Sequence, residues 1–415
     1  MHRNRNNIAL GLLATALMLS GCEATRGLLD VENPGPIPDV QLNTAASIPG
    51  LVAGMSGDLS LAVRELVQAN SVMSDDLFHS GSYTAEGLWN RGVIRAEDVN
   101  GLWANMQRAR FVAENGLERM KSIPDYQFEG NLLTARAYLF AGFSNRMLGE
   151  NMCFAVFDGG APLDHKEHFR RAEAQFSEVL RNTQTDALRR AALGGRAAVR
   201  LALGDLDGAA ADATQVPTSF VFDAVMSLTT TRQNNQLVTE TTNRREYTVF
   251  NTQWARTRFD PRTPWDTVRT TSGALQTGQD GRTRFFRQTK YRTLDANIPL
   301  TKGTEMLMVR AEVALRKGDI PAAFQLINTQ RAFYGLPALS TPTDRDQAWR
   351  TLQRERGAVL WIETRRFWDL RRWYAENLRQ FMQEPGDPRL ATWGTRDQCI
   401  PISENERRSN PNIPD

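Results

Sequence analysis

Two stretches of this sequence repeat each other. Residues 196–209, Arg-Ala-Ala-Val-Arg-Leu-Ala-Leu-Gly-Asp-Leu-Asp-Gly-Ala, align without gaps on residues 310–323, Arg-Ala-Glu-Val-Ala-Leu-Arg-Lys-Gly-Asp-Ile-Pro-Ala-Ala. Each copy predicts a helix of small residues that stops at Gly204 or Gly318, where Asp205 or Asp319 caps a second helix at once. Alanine at the crossing lets the two helices pack closely. A single hairpin cannot bury its own apolar face, so such hairpins stack side by side. The repeat therefore points to a mainly α fold, a tetratricopeptide-like superhelix of helical hairpins.

Apolar residues recur at helical spacing over 45–69, 98–120 and 128–148, the last stopping at Gly149. Residues 71–90 read as a loop. The densest helical pattern runs over 352–374. Trp361, Trp368 and Trp373 extend its apolar face, and Trp103 sits on another helical stripe. Its charges at three- and four-residue spacing predict the pairs Glu363–Arg366, Arg365–Asp369 and Asp369–Arg372. Between the two repeat copies, residues 216–299 show no sustained helical period. They are rich in Thr, Asn, Gln, Gly and Pro and carry ten aromatic rings, Trp254 and Trp265 among them. A featureless loop of that length is improbable in a folded domain unless it has a task. The expected organisation is a targeting segment over 1–21, an extended tether over 22–44 with Pro34, Pro36 and Pro38, and one domain over 45–415. That domain comprises a helical core (45–215 and 300–375), a loop-rich, ligand-binding insertion (216–299) and a tail (376–415).

His2, Arg3 and Arg5 precede an apolar run over 8–19 that is too short to span a bilayer comfortably. It ends at Leu19-Ser20-Gly21-Cys22, which resembles a bacterial lipobox. That resemblance implies cleavage before Cys22 and acylation of its thiol, which anchors the chain to a membrane. No second stretch reads as a membrane span, so the remainder is expected to be soluble. Loss of residues 1–21 removes two Arg and takes the formal charge from +3 to +1, which argues against a nucleic-acid partner. Two further cysteines, Cys153 and Cys399, would lie in an oxidising compartment. They either pair, stapling the tail to the middle of the chain, or remain buried free thiols.

Signs of catalysis are sparse. Asp164-His165-x-x-His168 offers two metal-ligand types at a helix start, but nothing near it in sequence completes a set. A polar helix N-terminus is the better reading. The sequence contains no Gly-x-Ser-x-Gly elbow, phosphate-binding loop or dinucleotide fingerprint. No enzyme, metal or cofactor is expected.

Several motifs occur in an order that resembles the SusD/RagB family of outer-membrane nutrient-binding lipoproteins. They are Leu28-Leu29-Asp30-Val31 before a Pro-rich stretch, the acidic turn Ser74-Asp75-Asp76, and Ala135-Arg136-Ala137-Tyr138. Further on come Ala311-Glu312 with Ile327-Asn328, Arg331 and Gly335-Leu336-Pro337, then Glu355-Arg356, Glu363, Arg366, Asp369-Leu370 and Arg372-Trp373. Ile400-Pro401-Ile402 and Asn410-Pro411-Asn412 close the series. The resemblance implies a tetratricopeptide-like helical core with loops that form a shallow ligand site. It also implies an outer-membrane location facing the cell exterior, delivery of oligosaccharide or peptide to a SusC-like TonB-dependent barrel, and no catalytic residues. The family's ligand contacts lie in variable loops, so none is carried across. The runner-up is a periplasmic tetratricopeptide scaffold lipoprotein for outer-membrane assembly, which would be helical hairpins nearly throughout.

Sugar chemistry selects candidates within the loops. A pyranose stacks its apolar face on an aromatic ring while Asn, Asp, Gln and Arg bond its hydroxyls. Two stretches fit: 78–91 with Tyr83, Trp89 and Asn90, and 247–265 with Tyr247, Trp254 and Trp265 near Asn251, Gln253 and Asp266.

Overall fold

The computed structural model describes residues 42–414. The targeting segment 1–21, Cys22, the motif at 28–31 and nearly all of the 22–44 tether lie outside them. The helices run α1 (Ile48–Met73), α2 (Thr84–Arg91), α3 (Asn100–Ser122), α4 (Leu132–Asn151), α5 (Lys166–Asn182), α6 (Asp186–Leu203) and α7 (Leu206–Thr214). After the insertion's α8 (Gln236–Thr242) come α9 (Gly303–Arg316), α10 (Ile320–Phe333), α11 (Arg345–Val359) and α12 (Arg366–Ala375). Two short helices, α13 (Pro388–Ala391) and α14 (Glu404–Ser409), follow in the tail. The fold is mainly α.

Both repeat junctions form as the sequence predicts. Gly204 and Gly318 take φ of 89° and 82°, a left-handed turn that favours glycine. Asp205 then accepts the Gly208 N–H and Asp319 the Ala322 N–H, each at 2.9 Å. In sequence order α3 packs on α4, α4 on α5, α5 on α6 and α6 on α7, while α9 packs on both α7 and α10. Gly149 does not end a helix. It lies inside α4, where a β-carbon would sit 2.7 Å from the Phe169 ring of α5, so its role is close packing.

Residues 45–73 are long and apolar enough to cross a membrane by length and composition. In the fold, however, α1 buries Leu59, Leu66, Val67 and Val72 against its neighbours and carries Asp58, Arg64 and Glu65. It is a core helix. The stretch 71–90, read as a loop, completes α1 and contains α2.

The insertion is not a continuation of the helical stack. Apart from α8 and two 3-10 turns, Thr231–Gln233 and Gln253–Arg256, its regular structure is short antiparallel pairing. Among all the described residues the strands are β1 (Phe78–His79), β2 (Phe154–Ala155), β3 (Leu163–Asp164), β4 (Val221–Ala224), β5 (Tyr247–Thr248), β6 (Trp265–Thr267), β7 (Phe286–Gln288) and β8 (Ile298–Lys302), the first three outside the insertion. They pair as β1–β5, β2–β3, β4–β8 and β6–β7.

The predicted helix over 352–374 is broken. α11 ends at Val359 and α12 begins at Arg366, with φ of 55° at Ile362 and 66° at Thr364. A β-branched residue rarely adopts that conformation, and tertiary bonds hold it. Asp76 Oδ2 accepts the Ile362 N–H at 3.0 Å, and the Tyr291 hydroxyl donates to the Ile362 carbonyl at 3.0 Å. Trp361 Nε1 donates to the Asp76 carbonyl at 3.1 Å. The break also re-pairs the charges. Asp369–Arg372 forms at 2.8 Å, but Glu363 binds Lys290 and Lys302 instead of Arg366. Arg365 reaches towards Glu150 rather than Asp369. Arg366 grips Asp75 with two bonds of 2.6 and 2.9 Å. Helical spacing assumed an unbroken helix, and the kink carries Glu363 to the insertion. Trp103, Trp361, Trp368 and Trp373 are all buried, as their helical stripes predict.

Cys153 and Cys399 form a disulfide across a separation of 246 residues. Beside it the Cys153 N–H donates to the Ile400 carbonyl at 2.9 Å and the Ile400 N–H to the Asn151 carbonyl at 2.8 Å. Asn410 and Asn412 donate to the Gly160 and Gly159 carbonyls, at 3.0 and 2.8 Å, so the tail is pinned twice.

Burial works against charge on Asp75, and the Arg366 guanidinium outweighs it, holding the carboxyl below its usual range. Burial, with the Asp75 charge beside it, pushes Asp76 well above that range. Asp75→Ala is expected to cost about 3–5 kcal/mol by stranding a buried guanidinium. Asp76→Asn keeps an acceptor for Ile362 and is expected to stay within about 1 kcal/mol of wild type. The unfolded state releases the Asp76 proton first as pH rises, so this group's contribution falls with pH above the ordinary carboxylate range. The Asn variant should lose that dependence. Urea denaturation of the three proteins across pH checks all three statements.

Candidate functional site

The β1–β5 pairing sets Phe78 opposite Thr248 and His79 opposite Tyr247. It brings the segment after α1 against the insertion. A third strip, residues 278–283, closes on the same point. The Ser80 N–H donates to the Glu246 carbonyl at 2.8 Å, and the Asp280 N–H donates to the Ser80 carbonyl at 3.0 Å. The Gln279 N–H donates to the Arg245 carbonyl at 3.1 Å, and the Ser80 hydroxyl to the same carbonyl at 2.9 Å. Two glycines permit this approach. A β-carbon at Gly81 would lie 1.7 Å from a Glu246 carboxylate oxygen, and one at Gly278 would lie 2.4 Å from the Ser80 carbonyl oxygen.

Between the three strips opens a cavity of about 550 Å³. Phe78, His79, Tyr83, Asn90 and Arg91 line it from the first strip. Asn251, Asp280, Arg282 and Thr283 line it from the insertion. Burial pushes the His79 imidazole below its usual pKa, so it stands neutral at physiological pH. Burial also works against charge on Asp280, but the Thr283 hydroxyl at 2.5 Å and the N–H groups of Arg282 and Thr283 at 3.0 and 2.9 Å outweigh it. Its carboxyl is held below the usual range. Asn251 takes φ of 65°, which Asn tolerates better than most residues. It is exposed at the rim, and its side-chain amide is engaged by no other described residue.

The structure thus joins the two stretches singled out in sequence, but it corrects most of the rings. Tyr83 lines the cavity half-buried, with the Arg244 guanidinium 5.6 Å from its ring centre. Trp89, Tyr247, Trp254 and Trp265 are buried and offer no face for stacking. Trp254, 1% exposed, lies under Arg366 and against Gly357, where a β-carbon would come within 2.9 Å of its ring. Trp265 stacks on Phe286, ring centres 4.4 Å apart, and gives its N–H to the Trp254 carbonyl at 3.0 Å. Asn90 borders the cavity, yet its side-chain oxygen already accepts from the His79 N–H at 3.2 Å and from Arg389 at 3.0 Å. Gln253 bonds Asp75, and Asp266 pairs with Arg287. The aromatic composition that marked the insertion mostly builds its own small core. Asp280, Arg282 and Thr283 were not anticipated. Their signal was the turn sequence Gly278-Gln279-Asp280-Gly281.

A second cavity, of about 450 Å³, lies on the helical face between α3 and α5. Its charges are satisfied within the chain. Arg110 pairs with Glu114 at 2.8 Å and Asp158 at 2.9 Å, and Arg171 with Glu114 at 3.2 Å. The two histidines near it do not converge. His165 Nδ1 meets the Gly149 carbonyl and His168 Nδ1 the Asn145 side-chain oxygen, each at 2.8 Å.

Residues 222–414 match the sequence model of the SusD family. This part of the chain is similar to the SusD family. A SusD superfamily protein from Bacteroides vulgatus shares its fold with a TM-score of 0.67 at 16% identity, over 89% of this chain and 98% of the other. A SusD-like carbohydrate binding protein from the same organism matches with a TM-score of 0.62 at 16% identity, over 79% and 83% of the two chains. A laminarin binding SusD-like protein gives 0.61 at 13% identity, over 88% and 98%. A sequence search of curated proteins finds no match. The matched region includes the strips at 247–251 and 278–283, while Tyr83 and Arg91 come from outside it.

Gly81→Ala is expected to cost about 1–3 kcal/mol and to spread the cavity, because Glu246 must move. Gly87→Ala, on α2 beside the same cavity, meets only ordinary contact at 3.4 Å from His79 and should hold or raise stability by up to about 1 kcal/mol. Thermal melts of the two variants check the contrast.

Proposed function

We propose that this protein captures an oligosaccharide or peptide nutrient in the cavity between 78–91, 247–251 and 278–283, and delivers it to a TonB-dependent barrel transporter. The observation that carries the reading is a polar, open cavity built on loops over a rigid helical frame. It presents one tyrosine ring together with amide, guanidinium and carboxylate groups. Those groups suit the hydroxyls and ring faces of a sugar. The shared fold of a carbohydrate binding and a laminarin binding relative supports the class of ligand. The role is binding, with turnover left to other proteins.

The anchor, location and partner belong to the same proposal. The lipobox-like Leu19-Ser20-Gly21-Cys22 supports acylation at Cys22, hence a lipoprotein held at the outer membrane and facing outward. A scaffold of stacked hairpins is the weaker reading, because the insertion departs from helical stacking and supplies two of the three strips of the cavity.

Calorimetry of the mature chain against neutral and charged glycans and against peptides should find an oligomeric ligand. Tyr83→Ala should weaken it by about 1–2 kcal/mol. Silence across both panels would overturn capture. Cys22→Ser should move the protein from the membrane to the soluble fraction of cells. Retention in membranes would overturn the anchor.

A further inference from the structure

The insertion concentrates positive charge. Residues 216–299 contain twelve Lys and Arg against seven Asp and Glu, a net of +5, whereas the whole chain is +3. The rest of the chain is therefore net −2. Part of this excess is internal: Arg262 pairs with Glu355 and Lys290 with Glu363. The guanidiniums at the cavity are different. Arg91 is exposed and forms no ion pair among the described residues. The Arg282 side chain is 89% exposed, and its nearest carboxylate, Asp280, is 3.7 Å away and already takes three bonds from Arg282 and Thr283 backbone and hydroxyl groups. Arg284, also exposed, stands next along the strip, 5.7 Å from the Phe250 ring centre.

The other carboxyls around the cavity are engaged within the fold and leave Arg91 and the outward face of Arg282 open to a ligand. Glu246 is occupied by the Ser82 N–H at 2.7 Å and the Ser82 hydroxyl at 3.2 Å. Glu240 accepts from Gln236 at 2.8 Å and from the Tyr83 hydroxyl at 3.4 Å. Burial raises the pKa of both Glu86 and Glu240. His79 is neutral and takes no part in the balance.

We infer that the cavity selects an acidic oligosaccharide, one carrying carboxylate or sulfate groups that Arg91 grips from the first strip and Arg282 from the insertion. This rests on the capture reading above and names its ligand class. A guanidinium forks onto a planar carboxylate or a sulfate with two parallel bonds, which a neutral hydroxyl cannot match. The net charge of the insertion draws such a ligand inward at low ionic strength.

The test is calorimetry of the full mature chain with four probes at low and high salt. These are a uronic-acid oligosaccharide, the same oligosaccharide with its carboxyls reduced to alcohols, a sulfated oligosaccharide, and oligoglutamate. The uronic-acid or the sulfated sugar is expected to bind, with the carboxyl-reduced oligosaccharide at least about tenfold weaker. The affinity should fall as salt rises. Arg91→Gln and Arg282→Gln should each cost roughly tenfold in that affinity, with unchanged melting temperature because both side chains are exposed. Whichever sugar binds distinguishes carboxylate from sulfate. Equal, salt-insensitive binding of charged and neutral sugars overturns the acidic selectivity and leaves capture standing. Preference for oligoglutamate overturns the sugar assignment. Silence of all four while a neutral glycan or peptide binds overturns the inference alone. Silence of every ligand takes the capture reading with it.

Discussion

Two adjacent carboxyls at the end of the first helix organise the rest of the molecule. Asp75 neutralises Arg366 at the start of α12 and takes a bond from Gln253 of the insertion. Asp76 receives the backbone of Ile362 in the break between α11 and α12. One dipeptide therefore touches the N-terminal hairpins, the insertion and the C-terminal helices. A buried ion pair is weak evidence of net stability, because desolvation offsets most of the attraction. Its value here is specificity. An unpaired buried guanidinium is costly enough to exclude folds in which these three parts meet in another register.

Around that junction the buried charges form a chain of alternating sign. Glu312 holds Arg372, which holds Asp369, which also takes Arg356. Glu355 joins Arg262 of the insertion to Arg331 of α10. Arg146 bridges Glu150 and Glu305. Burial disfavours charge on Arg146 and Arg372, and their carboxylate partners more than restore it. The motif residues between 355 and 373 thus serve the frame. They fix the platform on which the loops sit, and none of them lines the cavity.

The frame was legible in sequence because its cause is local. Gly-Asp junctions and helical periodicity act over a few residues, and both copies of the repeat folded as read. The charge pairs of 352–374 were misread because helical spacing holds only while the helix continues, and the break at 360–365 is imposed by Asp76, some 285 positions away in sequence. The disulfide stayed open for a similar reason: composition says that two thiols can pair but not where they meet. The cavity was half legible. Residues 78–91 and 247–251 stood out for loop-borne aromatics beside amides, and the fold does bring them together. The individual tryptophans did not serve as supposed, because an insertion this long needs an interior of its own. Trp254 and Trp265 supply it, and exposure of a ring cannot be read from its neighbours in the chain. Asp280 and Arg282 lay in a stretch without aromatics, invisible to a search for stacking surfaces.

The bridge between Cys153 and Cys399 encloses everything from β2 to α13, including the whole insertion, in one covalent ring. Its 246-residue separation corresponds to roughly 850 Å of extended chain at about 3.5 Å per residue. Under mechanical load applied between residue 42 and residue 414, that length cannot be paid out while the bridge is intact. Only the flanking segments can extend. The strips 247–251 and 278–283 would then stay inside the ring under a pull that unravels α1 to α4, while 78–91 would leave with those helices, and reduction of a single bond would release nearly all of the hidden contour at once.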